Sequence, residues 1–519
     1  MLQQPNTTYP LDFGSGDVIK TVYFFGRSLV PASSGNYVVT AEVDHVDAIA
    51  EGDETNNTKT GTSTVYYTGW PLSYAGHLFQ SLDIAYVKVD WDETPSSEFD
   101  SLVENSSAYL GDASPLSENA LFAEGFSDFT GADSIDYRGG DNQLDDGELR
   151  EWFLNLNQLL IQSRPTDDAF VAVIPHGWFN NYTTWCQSCT GLTYRGTQLG
   201  LVELSSYGGI AGHKTVAHEL GHVFGLGLDC EQYANCNPDR LDGLGTPVYN
   251  GLWVDRRRLM DYSAEHQVYC FMGASADEDF WIDSQSYAKL LDEHKFTQPA
   301  SALSVVGAEA ANMAILVAGT LFEDGHIELE DWYVLGPAQA DTFEAGDYYL
   351  RYLDPNGHLL SELTFGLSLS PEGLAVTQVP FLLRVPYVAQ TAEIVIGTGA
   401  TDVVSRTVSA HGPVVTVSSP NGGECIEGST TISWTSGDED ADELSHTVLF
   451  SRDGGASWTA LATGLKSTSF PWDVSSLPAA RTCLAKVRAS DGFNTAEDAS
   501  DAVFSLGYCA CLPAVLRNY

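Results

Sequence analysis

The apolar residues of the chain follow two rhythms, and the switch between them divides it. Ala169-Phe170-Val171-Ala172-Val173-Ile174 is a continuous apolar run bounded by Asp168 and Pro175, which predicts a central strand covered on both faces. Leu82-Asp83-Ile84-Ala85-Tyr86-Val87-Lys88-Val89 is rich in strand formers and predicts a second buried strand, and Leu199-Gly200-Leu201-Val202-Glu203-Leu204 predicts a third. Between these runs the spacing becomes helical. Phe99, Leu102, Val103 and Leu110 predict one amphipathic helix; Leu149, Trp152, Phe153, Leu156 and Leu160 predict another, capped at its start by Asp145-Asp146. Strands alternating with helices imply an α/β layer.

A third helical stripe is formed by Val216, Ala217, Leu220, Val223 and Phe224, and it carries His218-Glu219-Leu220-Gly221-His222. On a helix, His-Glu-x-x-His sets two imidazoles one turn apart with a carboxylate beside them, the donor set of a zinc site with its own general base. Gly221 and Gly225 extend the motif to His-Glu-x-Gly-His-x-x-Gly, where the last glycine lets the chain leave the helix. Here the chain resembles the metzincin clan of zinc endopeptidases. The resemblance implies a third ligand ten residues after the first His, but that position is Leu228, which cannot bind zinc. Asp229 is the expected third ligand, with Glu231 as the alternative. Cys270-Phe271-Met272-Gly273 resembles the Met-turn of the same clan, with Met260 as a rival for that role. Trp281, Ile282, Tyr287, Leu290 and Leu291 resemble its closing helix.

The flanks read differently. Gly35 to Asp44, with Ala48 to Glu51 and Asp53 to Asn57, resembles the last strands of a CARDB adhesion-type β-sandwich, and the opening strands of that module are expected to be missing. After the zinc motif, Ile315-Leu316-Val317, Tyr348 to Tyr352 and Phe381 to Val385 are separated by Asp324-Gly325 and Asn356-Gly357, the punctuation of a β-sandwich. Beyond Pro413, the segments Pro420 to Glu424, Ile432-Ser433-Trp434 and Ser451 to Gly455 resemble an immunoglobulin-like or fibronectin-like module with Trp434 in its core. The expected fold class is therefore multidomain, an α/β zincin-like catalytic domain with flanking all-β sandwiches. Its expected units are 1–65 (partial CARDB-like), 66–298 (zinc peptidase), 299–411 (β-sandwich), 412–508 (immunoglobulin/fibronectin-like) and 509–519 (tail).

Composition narrows the partners. Lys plus Arg total 24 against 70 Asp plus Glu, a formal charge of −46, which repels nucleic-acid backbones and anionic lipid surfaces. No apolar run reaches the roughly 20 residues that span a bilayer. Nine cysteines point to an oxidising, secreted or cell-surface location. Cys425 with Cys483 is the expected staple of the last module, Cys186 and Cys189 are expected in a disulfide, and Cys230, Cys236 and Cys270 lie near the expected cleft. Asp136, Asp141, Asp145, Asp146 and Glu148 crowd the start of the second helix. Calcium is a candidate ligand there, although helix capping explains the same acids.

The expected function is a secreted zinc endopeptidase acting on protein or peptide substrates, with Glu219 as general base. Its β-sandwich modules are expected to bind a cell surface or extracellular polymer. Tyr262 and His266 are candidate donors to an oxyanion. The alternative is a catalytically silent, protease-like adhesion or binding protein, and a third reading places the site in the thermolysin-like group.

Overall fold

Runs that are apolar at every position need cover on two sides, and the fold supplies it by stacking layers. The computed structural model describes residues 35–42, 58–65, 73–74, 77–79, 82–89, 96–113, 121–126, 143–183, 189–204, 211–226, 269–270, 280–281, 290, 297–299, 313–369 and 376–507, apart from 339, 342, 344–345 and 476.

A five-stranded sheet runs in the order Leu121–Phe126, Leu82–Lys88, Ala169–Ile174, Leu199–Glu203, Gly191–Leu192. The first four strands are mutually parallel, with Ala85 opposite Phe170 and Phe170 opposite Leu199, and only the edge strand Gly191–Leu192 is antiparallel. Side chains alternate across the sheet as the pleat requires. Ile84, Tyr86, Val171, Val173 and Val202 face a core shared with helix α1 (Ser96–Ala113) and the zinc-motif helix. Ala85, Val87, Phe170, Ala172, Ile174, Leu199 and Leu201 face a second core containing helix α2 (Asp146–Ser163). A short helix α3 (Trp178–Tyr182) follows the central strand.

Helix α2 begins as its sequence predicts. Asp145 accepts from the Glu148 amide at 2.9 Å while Glu148 accepts from the Asp145 amide at 3.0 Å, a reciprocal cap. These two carboxylates therefore serve the helix start, and Asp146 lies 3.4 Å from the Thr377 hydroxyl. From Trp152 onward α2 is buried on more than one side, down to Asn157, Gln158 and Gln162. The reason is a second cover: the β-modules dock on its outer face.

Two four-stranded antiparallel sheets lie between Ala314 and Thr407. One joins Ile327–Leu329, Ala314–Phe322, Tyr333–Leu335 and Gln378–Pro386, and the other Leu359–Phe365, Tyr348–Leu353, Glu393–Thr398 and Thr401–Thr407. Ile315, Val317, Leu383, Leu350, Tyr352 and Ile394 share one core with the α/β sheet. Eight successive residues of Ala314–Phe322 are buried, because this strand packs on both sides. Residues 414–506 form a further pair of sheets, of three and six strands, closed around Ile432, Trp434, Phe450, Trp472, Val487 and Phe504. Trp434 is thus a core residue, as expected.

The C-terminal module is bound to the rest by specific polar contacts. Gln162 of α2 donates to Thr463 at 2.9 Å and accepts from Arg488 at 3.0 Å, and the Ala460 amide donates to Ser163 Oγ at 2.7 Å. Tyr333 and Ser445 share a hydroxyl pair at 2.9 Å. One cystine expectation fails: Cys483 is a free, buried thiol inside the module core, so the Cys425–Cys483 staple is not formed and Cys425 is disulfide-bonded elsewhere. Cys189 is likewise disulfide-bonded.

Toward the N-terminus, Gly35–Glu42 and Thr58–Val65 form an antiparallel pair. Tyr269–Cys270 pairs in parallel with Phe280–Trp281, so Trp281 sits on a strand and not on the helix expected there, while Leu290 is buried against the zinc-motif helix core.

Candidate metal centre

Helix α4 (Ala211–Val223) carries the motif, and its apolar stripe is used as the spacing predicts: Val216, Ala217 and Leu220 are buried against the sheet and α1. His218, Glu219 and His222 occupy the remaining arc, yet they too are shielded, at 9%, 2% and 3% exposure. Polar side chains this deeply covered cost free energy unless something satisfies them.

The two imidazoles approach through their Nε2 atoms at 3.2 Å, with ring planes 88° apart. Two nitrogens bound tetrahedrally to one zinc at bonds of about 2.0–2.1 Å lie roughly 3.3 Å apart. The pair therefore has the span of two ligands on a single cation. The tautomer agrees. His222 Nδ1 lies 2.8 Å from the Leu226 carbonyl oxygen, which can only accept, so Nδ1 carries the proton and Nε2, facing His218, is the nitrogen with the lone pair.

That carbonyl is put in place by the helix end. Gly225 adopts φ +86°, its amide bonds the His222 carbonyl at 3.0 Å, and the Leu226 amide turns back to Gly221 at 2.8 Å. A glycine in the left-handed conformation after a helix closes the last turn in this way. The glycine of the extended motif thus has a structural task here: it aims the Leu226 carbonyl at His222.

Glu219 lies on the side of α4 toward the sheet edge, against Gly191 and Gly200, and the Thr193 hydroxyl is 3.3 Å from its carbonyl oxygen. Among the described residues the structure brings the imidazoles of His218 and His222 together, and it buries Glu219 on the same helix against Gly191 and Gly200. Asp229, Glu231, Met260, Tyr262, His266 and Met272 lie outside the described residues. Sequence reasoning missed the edge strand Gly191–Leu192, the nearest wall to Glu219; its two residues are too short for any periodicity.

No protein-family model matches the chain, and no curated protein matches it. Among solved structures it is similar to a two-domain fibronectin type-III segment of chicken tenascin, with 16% identity over 36% of this chain and 97% of that one, at a TM-score of 0.14. It is similar also to the FN1–FN3 domains of chicken CNTN1, with 14% identity over 37% and 65% and a TM-score of 0.15. The four N-terminal Ig domains of Dscam1 give 9% identity over 37% and 42%, with a TM-score of 0.13. The chain is multidomain and rich in β-sandwich by its own strand pairing. Among the described residues, no helix is long and apolar enough to cross a membrane.

Proposed function

We propose that the chain is a zinc endopeptidase whose centre is held by His218 and His222, with Glu219 as the general base and Asp229, or else Glu231, as the third protein ligand. One observation carries the reading: two buried imidazoles bring their Nε2 atoms to 3.2 Å from each other, on the helix that also buries a carboxylate.

Held by His218 and His222, a zinc ion would supply a Lewis acid able to polarise a carbonyl oxygen and acidify water. The chain's own groups do the rest. Glu219 accepts the proton of the attacking water and delivers it to the departing amine, a two-way transfer suited to a shielded carboxylate. His222 is held in one tautomer by Leu226, and the walls around Glu219 keep bulk water away from the base.

We place the activity outside the cell, with protein substrates. The strongly acidic surface, formal charge −46, supports neither nucleic acid nor anionic lipid as a partner. A second reading, a silent binding protein built on the same layers, draws support from Leu228 in the place of a third histidine and from the extent of β-sandwich. Metal analysis and casein cleavage of the purified chain, compared with Glu219→Ala, separate the two. Bound zinc with cleavage that falls about 100- to 10,000-fold in the variant supports the peptidase. Equal turnover in both, or none in either, removes it.

A further inference from the structure

The general base needs more than a helix position: its carboxylate must be kept within reach of the metal-side water and nowhere else. The surroundings of Glu219 show how that is done at three levels. A Cβ built on Gly200 would stand 2.8 Å from Glu219 Cβ, so the strand Leu199–Glu203 approaches the root of the side chain as closely as a bare backbone allows. Thr193 holds the main chain there, its hydroxyl 3.3 Å from the Glu219 carbonyl oxygen. A Cβ on Gly191 would fall 2.1 Å from Glu219 Oε1, 2.6 Å from Cδ and 2.8 Å from Cγ, inside the volume the carboxylate fills.

We propose that Gly191, on the antiparallel edge strand, is a positioning residue: its missing side chain is the slot that seats the Glu219 carboxylate. The inference deepens the peptidase reading and rests on it for the identity of the seated group as a base. Glycine inside a strand is disfavoured by entropy and lost packing, and it is retained where another group must come close. Gly191 pairs with Val202, and Leu192 beside it is fully buried, so the strand has no room to retreat. An added methyl must move the carboxylate. Gly200 differs, because the atom it meets is fixed to the α4 backbone; a methyl there would push helix from sheet and unfold the site as a whole.

The test is a double-mutant cycle with two readouts. Gly191→Ala is expected to keep its zinc and its KM within about twofold while kcat falls on the order of 100-fold, the cost of displacing a reacting group by about an ångström. Gly191→Ala is also expected to lower Tm in the wild-type background and to leave it nearly unchanged in Glu219→Ala, where the seat is empty. Should Gly191→Ala fail to fold alone, recovery of folding in the Gly191→Ala/Glu219→Ala protein gives the same support. An equal loss of Tm with and without the Glu219 side chain, or failure of both proteins to fold, overturns the slot. Because the thermal cycle needs no turnover, an inactive or zinc-free wild type defeats the peptidase reading while the slot is still measured.

Discussion

His222 Nδ1 sits 2.8 Å from the carbonyl oxygen of Leu226, four residues on, and Gly225 between them holds φ at +86° to make that contact. Any side chain at 225 is strained in this conformation, at a cost of about 1 kcal/mol. Gly225→Ala is therefore expected to weaken zinc binding about 10- to 100-fold, the usual effect of losing a partner behind a ligand. Competition against a chelator of known affinity measures it. Affinity equal to wild type would show that the Leu226 carbonyl does not orient the ring.

A second relationship ties the β-sandwich to the α/β sheet. Arg384, 3% exposed, clasps Asp341 through Nη2 at 2.7 Å and Nε at 2.8 Å, and it donates to the carbonyls of Pro165, Asp167 and Asp168 beyond the end of α2. Removing one member of such a buried pair leaves the other charge uncompensated, at roughly 3–5 kcal/mol. Arg384→Ala should lower the denaturation midpoint accordingly, and Arg384→Ala/Asp341→Ala should lose much less than the sum of the single changes. Strict additivity in a denaturant titration would contradict the pairing.

The same corner contains a titrating group. Asp168 retains some exposed surface as a residue, but burial of its carboxyl pushes the pKa up to about 7, with Asp83 and Asp341 adding to the rise. The Asp83 amide, 2.7 Å from Oδ2, and Arg384 oppose it. In the unfolded chain the group titrates near 3.8. Between the two values the folded state holds the extra proton, so this group's contribution to stability falls as pH rises from about 4 to about 7 and stays at its lowest above that. Asp168→Asn keeps an oxygen for the Asp83 amide and should flatten that slope. Parallel wild-type and variant curves of Tm against pH would exclude Asp168 as its source.

Cys483, free and surrounded by Val487, Phe504 and Trp472, has its thiol pKa raised by burial. A thiolate-directed alkylating reagent should leave it unlabelled in the native protein and label it fully in denaturant, read by peptide mass spectrometry. Labelling at the rate of a small-molecule thiol would mean that this core opens readily.

Much of the α/β layer was legible because its strands and helices each leave a rhythm. Ala169–Ile174 reads as a strand because it is covered on both faces, and Phe99, Leu102 and Leu110 read as a helix because one face is buried. Leu121–Phe126 escaped notice: it is a short edge strand that contains Glu124 and Gly125 and makes no alternation. The zinc-motif helix was visible down to the cap glycine. What could not be read was the docking of one unit on another. Ala314–Phe322 is buried at eight successive positions, Gly319 and Thr320 included, and burial of that kind says that two faces are covered without the sequence naming either cover. The Cys425–Cys483 pairing was read from both cysteines falling within the last module, and sequence position contains no geometry. Gly191 and Gly200 carried no periodic signal, since what matters about them is the absence of atoms.

Helix α2 buries Leu154, Leu159 and Gln162, and Gln162 bonds both Thr463 and Arg488 of the C-terminal module. A fragment cut off after residue 298 would leave that outer flank bare to water, and it should precipitate or cling to chaperones when expressed. Shuffling this α/β half into another gene would require carrying its distant C-terminal companion along, so the two halves are bound to evolve as one heritable piece.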